Sequence, residues 1–244
     1  RAAMTGLKKS LLTAVISLSI LAPVTGYAAE TSNIYYGVQM EEFEYRYGEG
    51  GEELFAFDGD AFIGTDELKL RWEGSGELDL NVNRFESLSN QLALQTPISD
   101  FWDIKGGVRY SSPQGPDRWY AAVGLSGLAP QWIEIDTHLF LSEKGKLSAD
   151  LDIEYEILLT NYLTLTPSAN IDAAFSSDRE IGVGSGINSI EAGLRLSYDV
   201  WDRILSPYVG VVYERKFGQT ANFVEAEGES ADIWYAVIGA KLMF

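Results

Sequence analysis

The chain has 244 residues, of which 46% are hydrophobic, and it carries 18 basic against 36 acidic side chains, for a formal net charge of −18. This apolar fraction is ordinary for a folded protein and argues against intrinsic disorder. The negative charge repels phosphate, so nucleic acid is excluded as a partner while cations are favoured. Because the chain has no cysteine, disulfides, thiolate metal clusters and cysteine nucleophiles are also excluded.

The amino terminus has the three parts of a secretory signal. Lys8 and Lys9 precede an apolar run over residues 11–21, which is followed by small residues up to Ala28. We predict a cleavable signal peptide over residues 1–28 and interpret the three residues ahead of the methionine as an upstream artefact. An uncleaved membrane anchor is the alternative, but the apolar core is short for a helix that must cross about 30 Å of hydrocarbon.

Downstream of this signal, apolar and polar residues alternate in segments of roughly ten residues that end in turn-forming residues. We predict strands and no helix, with the strands at 33–45, 53–63, 66–80, 85–98, 103–112, 118–128, 132–142, 146–158, 162–175, 187–199, 206–216 and 232–244. Strands of this length, joined by short turns at one end and longer loops at the other, are typical of outer-membrane barrels. The predicted fold over residues 29–244 is therefore all-β, a closed antiparallel transmembrane β-barrel of about twelve strands.

Each predicted strand separates an apolar face from a polar face, as where Leu68 and Leu70 alternate with Lys69 and Arg71. A soluble barrel or sandwich, the alternative, would bury the apolar face. A twelve-stranded barrel encloses a space too wide for its own side chains to fill, which suits a wet polar lumen. Aromatic residues near strand ends predict two interfacial girdles, among them Trp102, Trp132, Tyr162 and Trp201 by the short turns and Trp119, Phe140, Phe175 and Trp234 by the loops. The predicted location is the bacterial outer membrane.

Several short motifs lie in order along the chain: YGVQ at 36–39, DGDAF at 58–62, GTDELKLRW at 64–72, FWD at 101–103, GVRY at 107–110 and PYVG at 207–210. In order and spacing they resemble the copper resistance protein B family. This resemblance implies an outer-membrane protein of copper tolerance that moves or sequesters copper. The family commonly carries a methionine- and histidine-rich stretch before the barrel, whereas here the predicted mature chain holds only Met40, Met243 and His138 of those ligand types.

Copper ligands, if this protein binds the ion, must then come from the barrel itself. Glu134, Asp136 and His138 lie at two-residue intervals on one predicted strand, so their side chains point the same way and offer the mixed nitrogen and oxygen ligands that suit Cu(II). Met243 alternates inward near the periplasmic mouth and is a further candidate ligand. Simple pairing of His138 with a neighbouring carboxylate is the alternative.

The faces predicted to line the lumen carry more acids than bases, which would concentrate cations. The clearest acidic ladder is Asp150, Asp152, Glu154 and Glu156. The inward bases are expected to pair with carboxylates across the lumen, as charged groups inside membrane barrels usually do, and include Lys69, Arg71, Arg109 and Arg195.

The sequence thus predicts a barrel that binds copper or assists its passage across the outer membrane. We do not predict an enzyme, because no nucleotide-binding motif precedes a helix and because His138, predicted to face inward, cannot serve a lipid-accessible hydrolase. The alternatives are a non-specific cation-selective pore and a docking barrel for a periplasmic multicopper oxidase or copper chaperone. The other predicted partners are copper ions, outer-membrane lipid and lipopolysaccharide.

Overall fold

A computed structural model describes residues 33–112, 115–201 and 203–244. The predicted signal peptide over residues 1–28 lies outside the described residues and stays a prediction. Pro113, Gln114 and Asp202, which fall in predicted loops and turns, also lie outside them.

The described chain is built almost wholly of strands. In chain order they are β1 (Tyr35–Gly48), β2 (Glu53–Gly64), β3 (Lys69–Asp79), β4 (Arg84–Pro97), β5 (Trp102–Ser111), β6 (Arg118–Ala129), β7 (Ile133–Ser142), β8 (Leu147–Glu154), β9 (Ile157–Leu158), β10 (Leu163–Ala174), β11 (Gly186–Tyr198), β12 (Leu205–Lys216) and β13 (Asp232–Met243). Two single turns of 3-10 helix, Pro130–Trp132 and Arg179–Ile181, and one α-helix complete the elements.

The strands form one closed antiparallel sheet. Consecutive strands pair except β8 with β9, and β1 pairs with β13 in a register that sets Tyr45 opposite Ile238, so the sheet has no free edge at its ends. The two-residue strand β9 and the longer β8 both pair with β10, which makes them two parts of one interrupted strand. Counted that way, the described residues form a barrel of twelve strands, and the predicted fold is confirmed.

The barrel is apolar outside and polar inside. On β6, Val123 is 55% exposed on the outer surface, whereas Lys105 of the neighbouring β5 is 2% exposed inside. The soluble alternative is therefore wrong, because it would bury the apolar row and expose the charged one. A small apolar cluster fills part of the lumen between β2, β12 and β13: Leu54, Tyr208, Val212, Ile233, Tyr235 and Val237.

Most of the predicted girdle residues lie on the outer surface, including Trp132 at the short turns and Trp234 near the loops. Phe140 does not. It is 4% exposed, and its ring lies 5.4 Å from that of His138 in a stacked arrangement, so it faces the lumen. Phe140 is two residues from His138 on β7, so the two side chains point to the same face of the sheet. This alternation predicts the face of Phe140 correctly, whereas its position near the end of the strand does not.

One expectation about secondary structure was wrong: a helix, α1 (Gly218–Glu227), occupies the loop between β12 and β13. Gly228 ends it in the left-handed conformation, with its N–H directed to the carbonyls of Val224 and Glu225. The helix has no strong apolar stripe, so hydrophobic periodicity did not reveal it, and Gly228 was the one local signal. In the described part of the chain no helix is long and apolar enough to span a membrane.

A β-bulge in β1 changes which residues face the lumen. The pairing of β1 with β2 shifts register after Met40, and the adjacent residues Glu41 and Glu42 both line the interior cavity. A bulge adds one residue to its strand and so reverses the parity of all that follows. Glu44 and Arg46 are consequently inside, at 1% and 3% exposure. Uninterrupted alternation from the start of the strand would have placed both on the lipid side.

Candidate functional site

A cavity of about 450 Å³ lies inside the barrel and is strongly acidic. Apart from His138, the basic side chains that line it in the described part of the chain are Arg46, Arg71 and Arg109. Its carboxylates number thirteen, on β1, β2, β3, β7, β8, β10, β11 and β12: Glu41, Glu42, Asp58, Asp60, Glu73, Glu77, Asp136, Asp150, Asp152, Glu154, Asp172, Glu191 and Glu214. The predicted surplus of inward acids is therefore present, and such a surplus raises the local concentration of cations.

A second cavity, of about 270 Å³, adjoins the first. The two share several lining residues, including Glu41, Asp136 and Glu154. Glu134 and Lys105 line only the second cavity. Negative charge thus continues from one cavity into the next.

His138 on β7 is held in a defined orientation beside the main cavity. Its Nδ1 lies 3.1 Å from Asp150 Oδ1, and the same oxygen accepts a hydrogen bond from the His138 backbone N–H at 2.9 Å. On the other side of the ring, Nε2 lies 3.1 Å from the amide nitrogen of Gln91. Because Asp150 can only accept and the Gln91 amide nitrogen can only donate, this pattern assigns the proton to Nδ1. Nε2 then accepts a hydrogen bond from Gln91, so a metal ion at Nε2 would take the place of the Gln91 N–H, with Asp150 orienting the ring from behind.

Glu73, Asp136 and His138 form a group that could hold a metal ion. One potential ligand atom from each lies within 4.8 Å of the others. His138 Nε2 is 3.7 Å from Glu73 Oε2, and His138 Nδ1 is 3.6 Å from Asp136 Oδ1. One imidazole with two carboxylates is a ligand set that suits Cu(II).

The structure brings two of the predicted ligands together and leaves two apart. Asp136 and His138 belong to the group, and Glu73 of β3 takes the place that Glu134 was expected to fill. Strand residues rise about 3.3 Å each, so Glu134 lies roughly 13 Å along β7 from His138, opposite Glu154 in the second cavity. Met243, at the end of β13, is 48% exposed and lines neither cavity.

Lys105 on β5 lies against this group. Its ammonium is 2.6 Å from Glu73 Oε1 and 2.6 Å from Asp136 Oδ2. The other oxygen of Asp136, Oδ1, is buried and has no hydrogen-bond partner among the described residues. The group therefore holds the Lys105 ammonium tightly, while Asp136 Oδ1 accepts no hydrogen bond from the described residues.

The predicted acidic ladder is mostly in the lumen. Asp150, Asp152 and Glu154 of β8 line the main cavity, and Asp152 pairs in register with Asp136. Glu156 lies in the break between β8 and β9 and is exposed, so it falls outside both cavities.

The predicted inward bases have distinct surroundings. Arg71 contacts Asp60, and Arg109 lies 3.7 Å from Asp150 with its guanidinium 4.6 Å from the ring centre of Phe140. Lys69 has its ammonium 5.8 Å from the ring centre of Phe62. Arg195 belongs to a separate ion network.

That separate network, which we call the Arg46–Arg195 network, joins β1 and β3 to β11 and β12. Arg46 contacts Glu42 and Glu44 on its own strand, Glu77 on β3 and Glu191 on β11. Arg195 contacts Glu42 and Glu44, and the Tyr208 hydroxyl donates to Glu44 at 2.8 Å. Sequence reasoning missed Arg46 because of the bulge in β1. The adjacent pair Glu41 and Glu42, which interrupts the alternation, was the one signal that could have revealed it.

The chain has clear relatives. A family model described as copper resistance protein B precursor (CopB) matches residues 34–244. The copper resistance protein B of Escherichia coli is 32% identical over 221 residues, which cover 90% of this chain and 73% of that protein. A copper resistance protein B homolog of Pseudomonas syringae pv. tomato is 30% identical, with coverage of 90% and 74%.

Among solved structures, the NanC porin aligns with this chain at a TM-score of 0.50 and 13% sequence identity. The alignment covers 85% of this chain and 99% of the porin chain. At that level of identity the likeness shows the fold alone. The barrel thus has the architecture of a porin, the fold class expected for the predicted outer-membrane location.

Proposed function

Because the chain belongs to the copper resistance protein B family, we propose that it binds copper within its acidic lumen and assists the passage of copper across the outer membrane. The observation that carries this proposal is the Glu73–Asp136–His138 group beside a cavity lined by thirteen carboxylates. The copper ion is the cargo in this mechanism, and the barrel remains chemically unchanged. The family description names no enzymatic activity.

The geometry supports Cu(II) in preference to Cu(I) as the cargo. Cu(I) prefers thioether and thiolate ligands, and the chain has no cysteine and few methionines. Imidazole and carboxylate suit Cu(II), and the His138 ring is already oriented by its contact with Asp150. Surrounding carboxylates attract a divalent cation more strongly than a monovalent one, because the electrostatic energy scales with the charge of the ion.

The binding step is tested by calorimetric titration of Cu²⁺ into the purified barrel in detergent and a non-chelating buffer. We expect His138→Gln and the double variant Glu73→Gln with Asp136→Asn each to weaken copper binding at least tenfold. Glu214→Gln is the matched control, since Glu214 lines the same cavity outside the ligand group. Equal affinities in all four proteins would refute the site.

The transport step is tested by flux into liposomes that contain the barrel. We expect Cu²⁺ to enter faster than Na⁺ at equal concentration, and His138→Gln to reduce only the copper flux. A non-specific cation pore, the competing function, predicts that both ions pass and that the substitution changes neither rate.

The partners are part of the same proposal. The exposed apolar face of the strands is the surface that would contact outer-membrane lipid, as in other barrels whose apolar band faces outward. Binding of lipopolysaccharide, and docking of a periplasmic multicopper oxidase or copper chaperone, stay predictions. Affinity capture from a periplasmic extract tests the docking alternative, with a barrel of unrelated sequence as the control.

A further inference from the structure

The ammonium of Lys105 occupies the position between the two carboxylates of the Glu73–Asp136–His138 group. It contacts one oxygen of each, at 2.6 Å, and its side chain is 2% exposed. Glu73 Oε2, which accepts a hydrogen bond from Gln91, lies 3.7 Å from His138 Nε2, and Asp136 Oδ1 lies 3.6 Å from His138 Nδ1. The side chains that would ligate copper therefore already hold a cation, and that cation is covalently part of the barrel.

A metal ion and this ammonium cannot both bind tightly to the same two carboxylates. Like charges that share two carboxylates in a space shielded from water repel each other strongly. Asp136 Oδ1 is buried without a hydrogen-bond partner, so a metal ion at the site would use an acceptor that Lys105 leaves idle. Metal binding thus favours a movement of the ammonium away from Glu73 and Asp136.

The second cavity provides a place for the displaced ammonium. Lys105 lines this cavity and not the main one, whereas Glu73 and His138 line the main cavity and not the second, and Asp136 borders both. Acidic side chains of the second cavity, including Glu134 and Glu154, would receive the ammonium without leaving its charge unpaired. The site is therefore built at the junction of the two cavities, with the lysine on one side and the imidazole on the other.

We propose that Lys105 is a tethered cation that copper displaces from the Glu73–Asp136–His138 group, and that this competition sets the affinity of the site. The inference rests on the proposed function, because it names the residue that tunes the same copper site. A conducting site must bind its ion strongly enough to admit it and weakly enough to release it. Copper entering from the main cavity moves the ammonium into the second cavity, and the ammonium returns when copper leaves.

The test is the substitution Lys105→Met, which keeps an unbranched side chain one atom shorter than lysine and removes the competing charge. We expect Cu²⁺ to bind the variant at least tenfold more tightly in calorimetry. At saturating concentration Cu²⁺ should enter liposomes through the variant more slowly, because release of the ion from the site becomes rate-limiting. Lys241→Met is the matched control: Lys241 also lies in the lumen, 3.7 Å from Glu154, and its loss changes the net charge equally. We expect less than a twofold change in copper affinity for that control.

The outcomes separate this inference from the proposed function. If His138→Gln weakens copper binding while Lys105→Met matches the unmodified barrel or tightens binding no more than Lys241→Met, the site stands and the displacement is refuted. If His138→Gln has no effect on copper binding, the site itself is refuted.

A second measurement uses the unmodified barrel and so does not depend on whether the Lys105 variant folds. Acetylation of lysines by a small amine-reactive reagent is followed by mass spectrometry with and without saturating Cu²⁺. We expect the acetylation rate of Lys105 to rise at least threefold with copper while that of Lys144, in an exposed loop, is unchanged. If calorimetry shows bound copper and the Lys105 rate does not rise, displacement is overturned.

Discussion

Two groups of charges inside the barrel differ in how completely they are paired. In the Arg46–Arg195 network, the side chains of Arg46 and Arg195 are each 3% exposed and that of Glu44 is 0% exposed. Among the described residues, none of its polar atoms is buried without a hydrogen-bond partner. Around His138, by contrast, the Asp136 side chain is 39% exposed to the cavities, and its Oδ1 is unpartnered.

This difference indicates different roles for the two groups. The Arg46–Arg195 network is saturated in the sense that each of its buried side-chain polar atoms has a hydrogen-bond partner, and loss of either arginine would leave uncompensated carboxylate charge in the interior. It ties β1 to β11 and β12 across the seam where the sheet closes. The His138 group keeps one unused acceptor, Asp136 Oδ1, on a side chain that borders both cavities, which suits a binding site for a mobile cation.

The largest expected effect is on stability, from removal of charge in the saturated network. Glu44→Gln weakens the charge-assisted hydrogen bonds that Arg46, Arg195 and Tyr208 donate to a buried carboxylate, and we expect it to lower the free energy of unfolding by about 2–3 kcal/mol. Urea unfolding of the barrel in detergent, followed by tryptophan fluorescence, measures the change. The double variant Glu44→Gln with Arg195→Met should recover part of the loss. If Glu44→Gln lowers the free energy of unfolding by less than about 1 kcal/mol, the Arg46–Arg195 network contributes no more to stability than exposed ion pairs do.

The next effect distinguishes binding from stability. Asp136→Asn removes a carboxylate from the unsaturated group, and we expect copper affinity to fall about tenfold, or about 1.4 kcal/mol. Because Asp136 is partly exposed and one of its oxygens is unpaired, the free energy of unfolding should change by less than about 1 kcal/mol. If Asp136→Asn lowers the free energy of unfolding as much as Glu44→Gln does, the His138 group and the Arg46–Arg195 network do not differ in their contribution to stability.

A smaller effect is expected on ion selectivity. The triple variant Asp150→Asn, Asp152→Asn and Glu154→Gln reduces the negative charge of the main cavity, so its preference for cations over anions should fall severalfold. The reversal potential in a salt gradient across a planar bilayer measures this preference. Glu156→Gln serves as the control because Glu156 is exposed outside both cavities. An equal shift in the control would show that the lumen charge does not determine selectivity.

The smallest effect is expected from a charge outside both groups. Asp117 lies in the loop before β6, and hydrogen bonds from the hydroxyls of Tyr110 and Ser112 lower the pKa of its carboxyl. The stabilisation is present above the pKa of the unfolded chain and is lost as pH falls through the lower folded-state pKa. Because this group is fully exposed, we expect Asp117→Asn to leave the unfolding midpoint at neutral pH almost unchanged. A large shift there would mean that exposed loop charges are not screened as assumed.

The strands and their lipid-facing rows could be predicted because alternation is a local property. Successive side chains on a strand point to opposite faces, so a row such as Leu139 and Leu141 is readable without knowledge of the neighbouring strands. His138 and Asp136 were predicted to face the lumen by the same rule. Helix α1 was missed because it buries no marked apolar stripe and so leaves no period in the sequence.

The site was only half predictable because its third ligand comes from another part of the chain. Glu73 and His138 are 65 positions apart, on β3 and β7, and no pattern in either segment indicates that they meet. Glu134 lies on the same strand as His138, but the distance along an extended strand grows with each residue. Residues on facing strands of a closed barrel can approach more closely.

The sequence by itself determined the number of strands, the face that most strand residues present to lipid or lumen, and the acidity of the interior, because the two-residue period of a strand can be read locally. Only the tertiary structure decided which charges meet. The bulge at Glu41 and Glu42 turned Arg46 inward, and closure of the sheet set Lys105 between Glu73 and Asp136. Contacts across a lumen depend on the register and curvature of every strand between them, which no local stretch of residues encodes.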